Sequence, residues 1–469
     1  MIAPTPTPEW FEEGLMYQIY PLGTPGPGGG GFFGGVPATN DLTSPPEQKL
    51  LLLRQWYSHL VKLGVTSIYF SPLFESETHG YDTVDYFMID RRVGDLETFK
   101  TIVEELHELG IKVILDGVFN HTGRNFFAFQ EIIKAGANWA QCPYKEWYFI
   151  SEGNSTYDDP FAYRSWEGHE ELPELNVENE AVREYLFKVA GFWLGEVGVD
   201  GWRLDVAHEL PPAFWRDFRT ACTQANPEHV LLGEVIHGDY NVWVGPGKGL
   251  LHSGTNYQLS KALWSSLKEH NFWELDSAIQ RDLMLYREMC LVNFLSNHDV
   301  ARVATQLQGE PQLNKLAHFM LLTFRGVPCI YYGDELCVQG RKEDGDSALR
   351  MAMVPADETS GQWPHGVPTY TCTYVCTYSI QYTHAQVAHT YSIYICTCVC
   401  TYTCTHTVHM YAHVVYNYER ERERERGKER DYCLSCERAR GISLSLTRAL
   451  SLPPLLWLSH VCFLSPPPL

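Results

Sequence analysis

Four short segments of this 469-residue chain put chemistry-bearing side chains directly behind apolar, β-rich runs. Asp116, Asn120 and His121 lie in DGVFNH, Arg203 and Asp205 in GWRLDVAH, Glu234 in LLGEVIH, and Asn297, His298 and Asp299 in NFLSNHD. A charge placed after such a run is costly unless it is paired or points into an opening. Three carboxylates and an arginine converging on one mouth are what an oxocarbenium-like transition state requires. One anion attacks or shields the reacting carbon, one protonated acid donates to the leaving oxygen, and further groups grip hydroxyls.

Such convergence needs a scaffold of parallel strands. Apolar β-rich runs alternate here with helix-period stretches, the pattern of a parallel sheet with crossover helices. Residues 15–21, 66–73, 112–119, 201–207 and 230–235 read as the first five strands, and 291–297 and 329–334 as later ones. Residues 48–62, 96–109, 180–194 and 212–222 read as helices. We expect a (β/α)8 TIM barrel, with the polar motifs at the C-terminal ends of its strands, where such barrels build their sites. The rhythm breaks over 125–175, a stretch rich in Trp, Tyr, Asn, Gly and Pro and too long for a plain loop. It reads as a small inserted domain after the third strand, dividing the catalytic barrel into 1–124 and 176–365. The glycine-rich loop at 26–35 lacks the Gly-Lys-Ser/Thr ending of a phosphate cradle and reads as a surface connection.

Composition narrows the function classes. A net charge of −21 argues against a binder that holds nucleic acid on a basic surface. No uncharged apolar run of about 18 residues appears, so no membrane span is expected. Residues 1–8 have neither a basic stretch nor an apolar run, and a cytoplasmic location is expected. Of fourteen cysteines only Cys142, Cys222, Cys290, Cys329 and Cys337 precede residue 366, singly and without metal spacing. Beyond residue 366 the language changes. Thr alternates with Tyr, Cys or His, then ERERERERGKER and SLSLTRALSL follow, then a Pro-rich end. Repeated dinucleotides translate into such alternations, so 366–469 reads as a low-complexity tail of translated non-coding character. Its Cys-x-Cys-x-Cys at 396–400 lacks the paired layout of a zinc site.

The set DGVFNH, GWRLDVAHE, GEVIH and NFLSNHD, in this order, resembles the α-amylase superfamily of glycoside hydrolases, closest to its cyclomaltodextrinase and neopullulanase-like members. HGYDTVDYF at 79–87, LPELN at 172–176 and GVPCIYYGDE at 326–335 support the resemblance, which runs from about residue 14 to about 355. It implies a retaining enzyme acting on α-glucan or maltooligosaccharide, with Asp205 as nucleophile and Glu234 as acid/base. Asp299 would bind and distort the sugar ring, and Arg203 would orient Asp205 and keep it ionised. His121 and His298 would hydrogen-bond the same ring, Tyr81 would stack under it and Asp82 would sit beside it. Asp346 and Arg350 would meet the next sugar outward. A retaining pair implies carboxyls about 5–5.5 Å apart. No cofactor is required; in some relatives the Asn120 position also helps to bind calcium. Set against the family's usual architecture, the tail stands where a last barrel helix and a β-sandwich domain are expected.

Other readings stand beside this one. Asp116 and Asn120 read most simply as residues that fix a strand end. Tyr163, Trp166 and His169 could line sugar subsites or form the insertion's own core. Val206 occurs in relatives that also cleave α-1,6 bonds, so linkage stays open. The chain could also be an inactive product of a truncated gene model, or a glucan-binding homologue without catalysis.

Overall fold

In a computed structural model, described over residues 6–245 and 250–353, eight parallel strands form one sheet. They are β1 (Met16–Ile19), β2 (Ser67–Phe70), β3 (Lys112–Gly117), β4 (Gly201–Leu204), β5 (Val230–Gly233), β6 (Ser253–Gly254), β7 (Val292–Phe294) and β8 (Val327–Tyr331). Each pairs with its neighbour in chain order, and β1 pairs with β8 through Met16–Cys329. A parallel bridge from Thr255 to Val292 joins β6 to β7, so the sheet comes round into a nearly closed TIM barrel.

The strands are almost wholly buried, as expected when helices cover the outside and side chains fill the inside. Met16, Tyr69, Ile114, Val230, Leu232, Val292, Phe294, Val327 and Cys329 form one compact cluster, the barrel interior. The other strand residues, such as Tyr17, Ile68, Leu115, Trp202 and Leu231, pack outward against the helices. This period of two sets up the site, because Asp116 lies two residues beyond Ile114, and Glu234 two beyond Leu232. The functional side chains continue the inward rows of their strands.

Helices run where amphipathic patterning and caps predict them. Leu96–Glu108 starts at Asp95, whose carboxylate accepts the Thr98 N–H at 2.7 Å, and it buries Phe99, Ile102, Val103 and Leu106. Glu180–Gly191 starts at Asn179 in the same way, and Pro212–Ala225 has proline in its first turn. The expected 125–175 insertion contains a helix, Phe127–Ala135, and a small hairpin, Ile150–Ser151 with Ala162–Tyr163. Its LPELN end docks on the loop beyond β3, where Leu175 N–H donates to Asn120 O at 2.9 Å and Thr122 N–H to Pro173 O at 3.1 Å.

Two differences from expectation have simple causes. Strand β6 was not anticipated, because Ser253–Gly254 in HSGT carries no apolar run. The observed strands are also shorter than their apolar runs, because the polar motif residues leave the ladder to enter the mouth. After β8 the described residues hold only short turns and a four-residue helix, Asp346–Leu349. The expected tail at 366–469, read as standing in place of the last barrel helix and β-sandwich, lies outside the described residues. Among the described residues no helix is long and apolar enough to cross a membrane.

Candidate active site

One guanidinium organises three carboxylates. Arg203 and Asp116 are register partners on adjacent strands, and Arg203 Nη1 donates to Asp116 Oδ1 at 2.9 Å. The same nitrogen reaches Asp205 Oδ1 at 2.8 Å, while Nη2 pairs with Glu234 Oε1 at 2.7 Å. All four residues are buried, so the interactions are little screened. Tyr69 O–H closes the floor on Asp116. One cation beneath three carboxylates leaves an excess of negative charge. Burial, with Glu234 close by, pushes the Asp116 carboxyl up to about 6 despite Arg203. Burial, followed by Glu234 and Asp116, likewise raises Asp205 well above the ordinary carboxylate range, against the pull of Arg203. Asp116 and Asp205 therefore titrate as a coupled pair.

The donors are not shared evenly. Glu234 pairs with the Arg203 cation and accepts from Val206 N–H at 3.1 Å and from Tyr257 O–H at 3.1 Å. Val206 takes a left-handed backbone conformation, φ 38°, which a β-branched residue rarely adopts, and that turn accompanies its N–H donating to Glu234. Such a donor set favours the carboxylate form, whereas a resting general acid holds its proton.

A second group stands opposite. Asp299, with its side chain 41% exposed, lies 3.0 Å from His298 Nε2 and accepts from Arg350 Nη2 at 3.0 Å. Burial opposes its ionisation, but the His298 ring and the Arg350 and Arg203 cations outweigh this and hold Asp299 below its ordinary value. Gln18 Nε2 donates to His298 Nδ1 at 2.9 Å, which leaves the ring proton on Nε2, facing Asp299 and the Tyr81 hydroxyl. Burial takes the His298 imidazolium down to about 3, so the ring is neutral. Tyr81 lies parallel to His298 at 5.6 Å and 11° and also reaches Asp116 at 3.5 Å, joining the two groups.

The remaining expected residues are placed as follows. Arg350 Nη2 is shared between Asp299 and Asp346 Oδ2, both at 3.0 Å, so Asp346 sits one step outward. Asp82 is buried and accepts from Thr78 O–H at 2.6 Å and Gly80 N–H at 3.2 Å, shaping the loop that carries Tyr81. His121 is buried and neutral, its imidazolium lowered by burial to about 3, and its Nε2 has no hydrogen-bond partner among the described residues. Such an atom suits a ligand hydroxyl. Asn120 offers its amide to His121 Nδ1 at 3.3 Å and its carbonyl to Leu175. Among the described residues no cluster of three or more His, Cys, Asp or Glu side chains could hold a metal ion. In the insertion, Tyr163 belongs to the lobe's own packing, with its hydroxyl on Arg124 and on Glu170 O. Trp166 instead lies half-buried 5.7 Å from the His121 ring, with exposed His169 stacked on it. Sequence reasoning missed Gln18 and Tyr257. Gln18 shares the inward parity of Met16 and could have been found; Tyr257 follows a strand too short to signal itself.

The alpha-amylase catalytic-domain model matches residues 55–369. "Cyclomaltodextrinase" of Bacillus sp is 36% identical over 372 residues, covering 72% of this chain and 62% of that protein. "Neopullulanase 2" of Thermoactinomyces vulgaris is 39% identical over 373 residues, covering 76% of this chain and 61% of its own length. The chain thus spans about three fifths of these relatives. Among solved structures, a cyclic alpha-maltosyl-(1→6)-maltose hydrolase from Arthrobacter globiformis superposes with a TM-score of 0.64 at 28% identity, covering 77% of this chain and 81% of that one. With a family match over most of the barrel and the motif residues gathered at one mouth, this chain belongs to the alpha-amylase catalytic-domain family.

Proposed function

We propose that this chain is a retaining glycoside hydrolase that cleaves α-glucosidic bonds of maltodextrins, starch or cyclodextrins. The observation that carries the reading is the Arg203 guanidinium, which bonds Asp205 and Glu234 at once and so keeps the two carboxyls on one reacting bond. Asp205 attacks the anomeric carbon while Glu234, as the acid, passes a proton to the leaving glycosidic oxygen. The C–O bond breaks and a glycosyl-Asp205 ester forms. Glu234, now anionic, takes a proton from water, whose oxygen attacks the same carbon and releases Asp205. The donors on Glu234 favour its state in that second half. Asp299, His298 and His121 Nε2 are positioned to hold ring hydroxyls, and the half-buried Trp166 face is suited to stacking on a sugar. A relative from Bacillus subtilis, 31% identical, carries the name "Intracellular maltogenic amylase", which supports action inside the cell.

The test is release of glucose and maltose from starch, pullulan and cyclodextrin by the purified chain and by Asp205→Asn. The variant should lose activity by a factor on the order of 10³ or more. Full activity in the variant would remove Asp205 from the nucleophile's role. The pullulan arm decides whether α-1,6 bonds are also cut.

A further inference from the structure

The reading of Glu234 as acid/base leaves open what fixes its protonation, and a residue outside the family motifs bears on this. Tyr257 is the first residue of the helix Tyr257–Lys268 and half-buried, with its ring edge-on to Phe294 at 4.9 Å. Its hydroxyl donates to Glu234 Oε1 and accepts from Asn297 Nδ2, both at 3.1 Å. Because Asn297 fills one lone pair of the phenolic oxygen, the O–H is left to point at the carboxylate.

The position of Tyr257 is itself fixed. Asn256, the helix cap, accepts Leu259 N–H at 3.2 Å and donates its amide to Asn293 Oδ1 at 3.1 Å and Asp282 Oδ1 at 3.2 Å. Asp282 is in turn held by Arg325 at 2.6 Å. At the other end, Asn297 Oδ1 accepts the N–H groups of Asp299 and Val300 at 2.8 and 3.1 Å. One side chain therefore shapes the Asp299 turn and orients the donor to Glu234.

We infer that Tyr257, aligned by Asn297, is a positioning residue that stabilises the anionic form of Glu234 and so sets the pH range of the reaction. The inference rests on the acid/base reading of Glu234. The charged and titratable groups around Glu234 are Arg203 on β4, Asp205 just beyond it, Asp116 on β3 and Tyr257 itself, with Asp299 acting on Tyr257 and His208 against the Glu234 carbonyl. Of these, Tyr257 donates to the carboxylate without adding a charge at neutral pH. Its removal therefore changes the protonation balance while leaving net charge alone.

The experiment compares pH profiles of kcat/KM for the full chain, Tyr257→Phe, Tyr257→Leu and Glu234→Gln. Each is run on maltotriose and on an α-glucosyl fluoride, whose leaving group needs no acid. In Tyr257→Phe the ring packing stays and the donor goes, so protonated Glu234 persists to higher pH. The alkaline limb on maltotriose should move up by about half to one pH unit, the equivalent of one hydrogen bond. On the fluoride the same limb should not move. Limb position does not depend on how much of the variant folds. An unmoved limb in Tyr257→Phe, with activity lost only in Tyr257→Leu, makes Tyr257 a packing residue and overturns the inference. Glu234→Gln tests the reading beneath: it should abolish maltotriose cleavage and spare reaction with the fluoride. If it spares maltotriose, the acid/base assignment fails whatever Tyr257 does.

Discussion

At the residue scale the site is an electrostatic compromise. Arg203 neutralises part of the charge of three buried carboxylates, and burial, with the remaining negative charge, raises Asp116 and Asp205. The two histidines work differently. His121 and His298 are both held neutral by burial, with imidazolium values near 3. Unfolded, each takes up a proton as the pH falls below about 6.5, while the folded chain does not until about 3. Their contribution to stability is thus complete above pH 6.5 and is lost as the pH falls through that window. Denaturant unfolding at pH 7 and pH 5 should show a shallower decline for His121→Asn than for the wild type; equal declines would contradict a buried neutral His121. Most of this scale was legible in the sequence, because the inward row of each strand has period two and the motif residues end those rows. Tyr257 was not, since its contact with Glu234 depends on where a two-residue strand delivers the next helix.

At the element scale the strands act as rulers. Arg203 meets Asp116 because β3 and β4 are in register, and it reaches Glu234 because β5 lies next in the sheet. That register needs close approach at the start of β4. A Cβ on Gly201 would come within 2.6 Å of the Val230 carbonyl oxygen and collide with the Val230 side chain. Gly201→Ala should therefore cost about 1–3 kcal/mol, by the usual penalty for overpacking. A lowered unfolding midpoint checks this, and an unchanged midpoint would mean the strands can part without loss. Seven of the eight strands were readable from apolar runs. The eighth, β6, was not, because Ser253–Gly254 gains its place from neighbours on both sides rather than from its own side chains. The insertion was readable as a break in rhythm; that its Trp166 faces His121 while Tyr163 packs inward required three dimensions.

At the scale of the whole molecule, the described residues supply eight strands and every motif residue of the site. The expected low-complexity tail lies outside them, and the chain spans about three fifths of the relatives it matches. Whether this chain performs the chemistry is decided most directly by trapping the ester. The purified full chain is incubated with a slow-turnover 5-fluoro-α-glucosyl fluoride, acid-quenched, digested and read by mass spectrometry. A single fluoroglucosyl adduct on the peptide carrying Asp205, with sugar released from maltooligosaccharides as the α-anomer, is the predicted result. An adduct on another residue, or β-anomer released with no adduct, would contradict a glycosyl-Asp205 intermediate.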